Sequence, residues 1–333
     1  MRNRYIEAFN RMSNSLNHII EMYGKSKVFF LLDALGAYIR YGMTPNEYIG
    51  WEIYKKSTLE RKRYFTNRDQ GRYENKFNDP DCADSFNRKE VTNNVFSKFV
   101  RRDWMFGGDN TEDEIRKFIE SHPKCILKPI GLSSGRGIFT ISKERGEDFN
   151  IMIQRLAESE TGVNKTLSLS SILIEEFVSQ HPDMAKLNPD SVNTIRVFTV
   201  ANKQGNFKIL SCGVRVGGKN SDVDNYHAGG VGYTVDPITG VICRPGHDIA
   251  GREYHCHPST GIQMIGYQIP NWSSVLDAIS ALIKVEPRGR LIGWDLAIVA
   301  DGVELIEANY LPDPGFMQRI SEKGLKPDIL DYI

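Results

Sequence analysis

The segment Ile292–Asn309 carries two carboxylates and an amide that could share one metal ion. It reads IGWDLAIVADGVELIEAN, two apolar, β-rich runs around a glycine-containing turn. Strand side chains alternate with period two, so turn length decides which of them meet. A two-residue Asp301-Gly302 loop sets Asp295 against Ala308 and turns Glu307 away. A three-residue Ala300-Asp301-Gly302 loop, with Gly302 in the left-handed region, pairs Val299 with Val303. Asp295 then lies opposite Glu307, and Asn309 follows on the same face. In that register Ala297, Val299, Val303 and Leu305 share the acid face, and Trp294, Leu296, Ile298 and Ile306 the other. Opposed Cβ atoms are about 5 Å apart, so the two carboxylates repel unless a cation neutralises them. Two carboxylates and an amide oxygen form a hard-oxygen set suited to Mg²⁺. Both faces are apolar, which argues against a solvated acidic hairpin.

Three further segments hold charge inside apolar surroundings. In KPIGLSSGRGI an apolar strand ends at Lys128, and a small-residue loop from Gly131 to Gly137 follows. Its backbone N–H groups can converge on phosphate oxygens while Lys128 supplies a point charge. The lysine precedes the glycines and a strand follows them, so this is neither a Walker A loop nor a dinucleotide fingerprint. A plain hairpin with a flexible tip is the competing reading. ILIEEFV places Glu175 and Glu176 in an apolar strand, where they are costly without partners. They either serve a strand whose edge reads an adenine or leave the core and are solvated. TIRVFTV buries Arg196, whose partner is a phosphate or a structural carboxylate.

The elements that must position these groups fall into three regions. Residues 1–65 read as helical, and Thr44-Pro45-Asn46-Glu47 is a capping box that starts a helix at Pro45, with Ile49, Ile53 and Tyr54 as its buried stripe. Residues 66–85 are polar with little periodicity and read as a linker. Helical signals resume over 87–99 and 112–121, the second capped by Thr111. From Cys125 onward short β-rich runs alternate with loops, and 271–284 is an amphipathic helix. The pattern predicts an α+β chain behind an N-terminal helical region and linker over 1–85.

Composition narrows the partners. The 333 residues carry 42 Lys+Arg and 42 Asp+Glu, so no basic surplus exists for phosphate-driven nucleic-acid binding. Arg61-Lys62-Arg63 and Arg101-Arg102 read as short solvated faces. Five cysteines without a CxxC pair fit a reducing compartment. The apolar run 28–39 is too short for a membrane span, which needs about 20 residues. These features predict a cytoplasmic protein. His255-Cys256-His257, with Cys243 and His247 near, lacks zinc-ligand spacing.

Taken together, SVNTIRVFTV, DNYHAGGVGYTVDPITG, HPSTGIQMIGYQIPNW and IGWDLAIVADGVELIEANYLPDPG resemble the sugar-transfer-associated ATP-grasp family. YGMTPNEYIGWEIYKKS resembles that family's opening helices. One departure is Gly302-Val303-Glu304, where the family more often has Gly-Pro. The resemblance implies an ATP-grasp fold in which two α+β lobes, residues 86–178 and 179–333, grip Mg-ATP. It implies that Lys128 contacts the phosphates and that Ser133, Ser134 and Gly135 lie on the lid loop. Glu175, Glu176, Phe177 and Val178 then form the adenine hinge. Arg196 meets the phosphate and the acyl phosphate, so it and Lys128 are the catalytic pair. Asp295, Glu307 and Asn309 hold magnesium. Lys89, or else Lys98, is the second nucleotide lysine. Asn225, His227, Gly229 and Gly230, in the polar Gly-rich loop DVDNYHAGG, either line the acceptor side or form a surface loop of turn residues. The implied activity is ATP-dependent carboxylate–amine ligation through an acyl phosphate, on small, sugar-linked substrates in surface-polysaccharide assembly alongside glycosyltransferase-pathway enzymes. The rivals are a kinase acting on a hydroxyl and a non-catalytic nucleotide-binding partner of glycosyltransferases.

Overall fold

The computed structural model describes residues 26–131, 137–158, 167–218, 224, 229–249 and 251–333. Ser133, Ser134, Gly135, Asn225 and His227 lie outside the described residues.

Two sheets carry the architecture, and every strand pairing in them is antiparallel. The first is built from β1 (Trp104–Phe106), β2 (Lys124–Pro129), β3 (Phe139–Ser142) and β4 (Ile172–Glu176), in the order β1-β4-β2-β3. The second contains β5 (Thr194–Ala201), β6 (Phe207–Val216), β7 (Val231–Val235), β8 (Gly246–His247), β9 (Glu253–Tyr254), β10 (Leu291–Val299) and β11 (Gly302–Asn309). Its order is β11-β10-β5-β6-β7-β8-β9. This is the α+β arrangement expected of hairpin-rich strands.

Each sheet buries one face under helices and leaves charge on part of the other. In the first, Cys125, Leu127, Ile172 and Ile174 pack against Ile115 and Ile119 of helix Glu112–Ser121 and Met152 and Leu156 of helix Phe149–Glu158. Alternation sends Lys128 and Glu175 to the opposite face. In the second, Ile195, Val197, Trp294, Leu296 and Ile298 join Val275, Ile279 and Leu282 of helix Trp272–Val285 in the largest core. The reverse face carries Arg196 and Asp295. It continues into Phe198, Val200 and Leu291, which pack against helix Pro314–Ser321. Gly213 and Gly232 allow that helix to sit close: a Cβ at either would lie 2.4 Å from Ile320 or Phe316.

Three sequence expectations are corrected. The hairpin turn is the two-residue Ala300-Asp301, with Val299 paired to Gly302 and Ile298 to Val303. A bulge at Ile306 then shifts the register between Asp295 and Leu296, so Asp295 still faces Glu307. An extra residue in one strand has the same effect on facing as an odd loop. Val303 and Leu305 therefore lie with the Trp294 core, whereas Ile306 joins Ala297 and Val299 on the acid face.

The polar segment expected as a linker holds the helix Asn67–Phe77. Thr66 caps it in a reciprocal box with Asp69, and its last residue, Phe77, is buried. Low hydrophobic periodicity hid a helix that is anchored at its two ends. The basic pairs are also more than solvated faces. Arg61 grips Asp33 through two hydrogen bonds of 2.6 and 2.8 Å, and Arg102 is buried between two glutamates.

The N-terminal capping box is present, and helix Pro45–Gly50 begins at Pro45. This region packs on helix Pro314–Ser321. Trp51 Nε1 donates to the Gly315 carbonyl at 3.1 Å, and Gln318 exchanges hydrogen bonds with both backbone groups of Phe65.

Asn78 ties the Asn67–Phe77 helix to the second sheet. Its Oδ1 accepts from the Arg290 and Leu291 N–H groups, both at 2.8 Å, and its Nδ2 donates to the Leu291 and Tyr310 carbonyls. Asn78→Ala would leave these buried groups without their partner, at about 1–3 kcal/mol for each group that water cannot reach. A loss of about 3 kcal/mol or more is expected from urea unfolding; a loss below about 1 kcal/mol contradicts the assignment.

Candidate active site between the two sheets

Lys128 lies in the buried run Leu127–Pro129 that ends β2, and it is itself buried. Ile126 pairs with Glu175 on β4, so Lys128 and Glu175 are diagonal neighbours on one face. Lys128 Nζ forms an ion pair with Glu175 Oε2. Glu175 Oε1 also accepts from Arg102 Nη2 at 2.6 Å and Asn93 Nδ2 at 2.9 Å. Burial alone would raise the Glu175 carboxyl, but Arg102 and Lys128 hold it below the usual carboxylate range. Burial pushes the Lys128 ammonium below the usual lysine range, and Glu175 opposes that shift. Two basic groups thus offset the desolvation of one carboxylate.

Arg102 carries the network across to the second sheet. Its backbone N–H and Nη1 donate to Glu304 Oε1 at 3.0 and 2.9 Å, and Nη1 also reaches the Leu305 carbonyl at 2.7 Å. Glu304 belongs to β11 and pairs with Ala297, which places it on the acid face. Glu307, on the same hairpin, lies close enough to act electrostatically on Lys128.

On that face Asp295 is opposed to Glu307 on β11 and to Arg196 on β5. Asp295 is fully buried. Arg196 Nε donates to Oδ1 at 2.6 Å and Nη2 to Oδ2, while Arg215 Nη2 lies 3.2 Å from Oδ2. Burial would raise the Asp295 carboxyl; Arg196 and Arg215 hold it below the ordinary range. Burial would lower Arg196, and Asp295 raises it instead. Arg215 extends the network to the buried Asp224, 3.5 Å away, whose carboxyl burial pushes up. Asn309 donates from Nδ2 to the Gly293 carbonyl at 3.3 Å, and its side chain helps lower the Asp295 carboxyl. Glu307 is more exposed, and Lys89 Nζ lies 3.6 Å from its Oε1.

The remaining candidates are placed as follows. Lys89 opens helix Lys89–Val95 beside the hairpin, whereas Lys98 is exposed. Glu176 points away from Glu175, as strand neighbours must, and its Oε2 accepts from the Asp103 N–H at 3.3 Å. Among the described residues the His, Cys, Asp and Glu side chains that gather closely enough to share a metal are Asp103, His122 and Glu176, not the 255–257 stretch. The Phe177 ring lies under Lys124 Nζ at 3.6 Å, and Val178 packs on Ala297 and Val299. Gly229 has φ +92°, and the Gly229-Gly230 pair leads into β7.

Lys128, Glu175, Arg196, Asp295, Glu307 and Asn309 thus line the facing surfaces of two sheets. Sequence reasoning missed Arg102, Asn93, Glu304 and Arg215. Arg215 had a usable signal, since an arginine inside KILSCGVRV poses the same question as Arg196 in TIRVFTV. Chemically, the set provides three oxygen donors on one hairpin face with guanidinium and ammonium groups around them. That arrangement suits a divalent cation beside phosphate oxygens.

The model of the sugar-transfer-associated ATP-grasp family matches residues 68–331. Curated proteins include no sequence match. Among solved structures the chain is similar to the ATP-grasp ligase PsnB complexed with a phosphomimetic variant of minimal precursor, Mg and ADP. That match has 14% identity, covers 79% of this chain and 64% of that one, and has a TM-score of 0.43. It is similar to the D-alanine–D-alanine ligase of Helicobacter pylori (12% identity, 75% and 61% covered, TM-score 0.44). It is also similar to biotin carboxylase of Campylobacter jejuni (10% identity, 75% and 46% covered, TM-score 0.49). The chain spans less than two thirds of the length of each of these three proteins. The functional reading rests on the family match and on this chain's own residues.

The buried pairs set a pH dependence. Glu175 and Asp295 have folded pKa values below their unfolded ones, which lie near 4. Their stabilisation is full above the unfolded value and is lost as the pH falls below it. Urea unfolding between about pH 6 and 3 is expected to show falling stability on acidification, with a shallower fall in Glu175→Gln. Equal slopes would contradict the pairing.

Proposed function

The chain belongs to the sugar-transfer-associated ATP-grasp family, and we propose that it is an ATP-dependent carboxylate–amine ligase using Mg²⁺. The observation that carries the reading is the opposition of Asp295 and Glu307, with Asn309 on the same hairpin, facing Lys128 across the two sheets. These three residues would hold the metal; their donor set is all oxygen, the chemistry Mg²⁺ requires. Magnesium there would neutralise phosphate charge and polarise the transferred phosphoryl group.

The chain's own groups do the rest. Lys128, held by Glu175, stands at the end of β2 where the loop toward Gly137 begins, and presents a fixed positive charge to the phosphates. Arg196 is oriented by Asp295 through Nε and Nη2, which leaves its Nη1 outside that pair. From there it steadies the oxyanion that develops at the acyl carbon. The substrate carboxylate attacks the γ-phosphorus and ADP departs. An amine then attacks the acyl carbon, the C–O bond breaks, and phosphate leaves with one former carboxylate oxygen. Such a site mainly positions reactants and neutralises charge. The family's sugar-transfer association supports a sugar-linked acid or amine as substrate and a role in surface-polysaccharide assembly.

The route is tested with ¹⁸O. A screen of amino acids and sugar acids for ADP release identifies the acid, which is then supplied with ¹⁸O in its carboxylate. Label in the released phosphate, together with amide product, is expected. Amide with unlabelled phosphate excludes the acyl phosphate, and a stable phosphorylated product identifies a kinase.

A further inference from the structure

Arg290 stands where β10 begins, and only 9% of it is exposed. Its Nη1 donates to the Ala201 carbonyl at 3.4 Å, at the end of β5. Its Nη2 donates to the Lys76 carbonyl, in the last turn of helix Asn67–Phe77. The guanidinium carbon lies 5.8 Å from the centre of the Phe77 ring. Carbonyls carry no net charge, and a helix C-terminus supplies only a partial negative one. Arg102, Arg196 and Arg215, by contrast, each grip a carboxylate. Burial lowers Arg290 below the usual arginine range, whereas at Arg196 burial is outweighed by Asp295. A buried charge is costly without a partner of opposite sign, and Arg290 has none within the chain's described residues.

Arg290 lines a cleft of about 740 Å³ together with Lys76, Lys203 and Arg288. These four residues come from three separate stretches: the end of helix Asn67–Phe77, the turn between β5 and β6, and the segment that leads into β10. Among the described residues no carboxylate forms an ion pair with Lys76, Lys203 or Arg290. Arg288 is paired with Glu286 at 2.6 Å. Asp79 and Ile333 also line the cleft, and Asp79 Oδ1 accepts from the Asp81 N–H at 3.0 Å. The cleft is separate from the Asp295 network. Arg290 precedes Asp295 by five residues, about 17 Å along an extended chain.

We propose that this cleft is a second ligand site, which binds a small molecule through its phosphate groups. The guanidinium fork of Arg290 matches phosphate oxygens, and the lysines add point charges on flexible stems. Basic groups brought from three stretches suit an anion with several charged oxygens better than a single carboxylate. The volume is that of a small-molecule pocket and leaves room for the group that bears the phosphates. A cleft of this size, on a chain whose 42 basic residues are matched by 42 acidic ones, suits such a ligand better than the long backbone of a nucleic acid.

Calorimetry of inorganic pyrophosphate with the full chain, at one fixed free Mg²⁺ concentration, tests the site. Pyrophosphate is expected to bind. Lys203→Glu reverses a charge on an exposed turn and spares the core. It is expected to weaken that binding about tenfold or more, the loss of one charge-assisted contact. Arg290→Gln, with folding checked by circular dichroism, is expected to do the same. Lys117→Glu, on the exposed side of helix Glu112–Ser121, is expected to leave the affinity unchanged. None of these three residues belongs to the nucleotide and metal site assigned above, so the variants locate the cleft whether or not that assignment holds. Absence of pyrophosphate binding overturns the proposal. So does binding that Lys203→Glu leaves unchanged, or that Lys117→Glu weakens to the same extent.

Discussion

Arg102 is the constraint on which the arrangement depends. Its guanidinium is almost wholly removed from water, with Glu175 of the first sheet on one side and Glu304 of the second on the other. Removing one partner from such a group leaves an uncompensated buried charge, at about 3–5 kcal/mol. The two sheets are therefore tied at the point where their charged faces meet. Glu175 passes the constraint to Lys128, and Glu304 passes it to the hairpin that bears Asp295 and Glu307. A buried ionic bridge is weak as a source of stability; here it holds a carboxylate of each sheet against the same guanidinium.

Much of this was legible in the residues, and the failures have physical causes. The opposition of Asp295 and Glu307 follows from alternation along two strands. The device that produces it, a bulge at Ile306 behind a two-residue turn, has no signature in GVELIEAN, because a bulge is set by pairing rather than composition. Lys128 and Arg196 stood out as charges inside apolar runs. Arg102 did not, because it sits in a short basic pair and its carboxylates lie 73 and 202 residues away. The helix Asn67–Phe77 was hidden for a related reason. It is held by the Thr66–Asp69 box, by Asn78, which satisfies backbone groups near residue 290, and by Tyr73 and Phe77 alone against the core, too few apolar residues to show a period.

Charge pairing gives the site its character. Asp295 with Arg196 and Arg215, Asp224 with Arg215, Glu307 with Lys89, Glu175 with Lys128 and Arg102, and Glu304 with Arg102 form a set of five acids and five bases. A magnesium–nucleotide brings the same two signs: a cation for the carboxylates, and phosphates for the arginines and lysines. The exchange leaves few charges stranded in a low-dielectric space, the condition a buried ionic site must meet. The balance also holds these charged side chains in place without a net charge that would destabilise the fold.

The central claim is that the hairpin face holds a metal that in turn holds the nucleotide. Calorimetry of a non-hydrolysable ATP analogue, with and without Mg²⁺, in the wild-type chain and in Glu307→Gln, tests it directly. Glu307 is the half-exposed ligand, so this variant spares the buried pairs. The account predicts that magnesium tightens binding tenfold or more in the wild type, equivalent to about 1.4 kcal/mol, and that most of this gain is lost in the folded variant. Binding that is equally tight with and without magnesium, or a gain fully retained in Glu307→Gln, would contradict it.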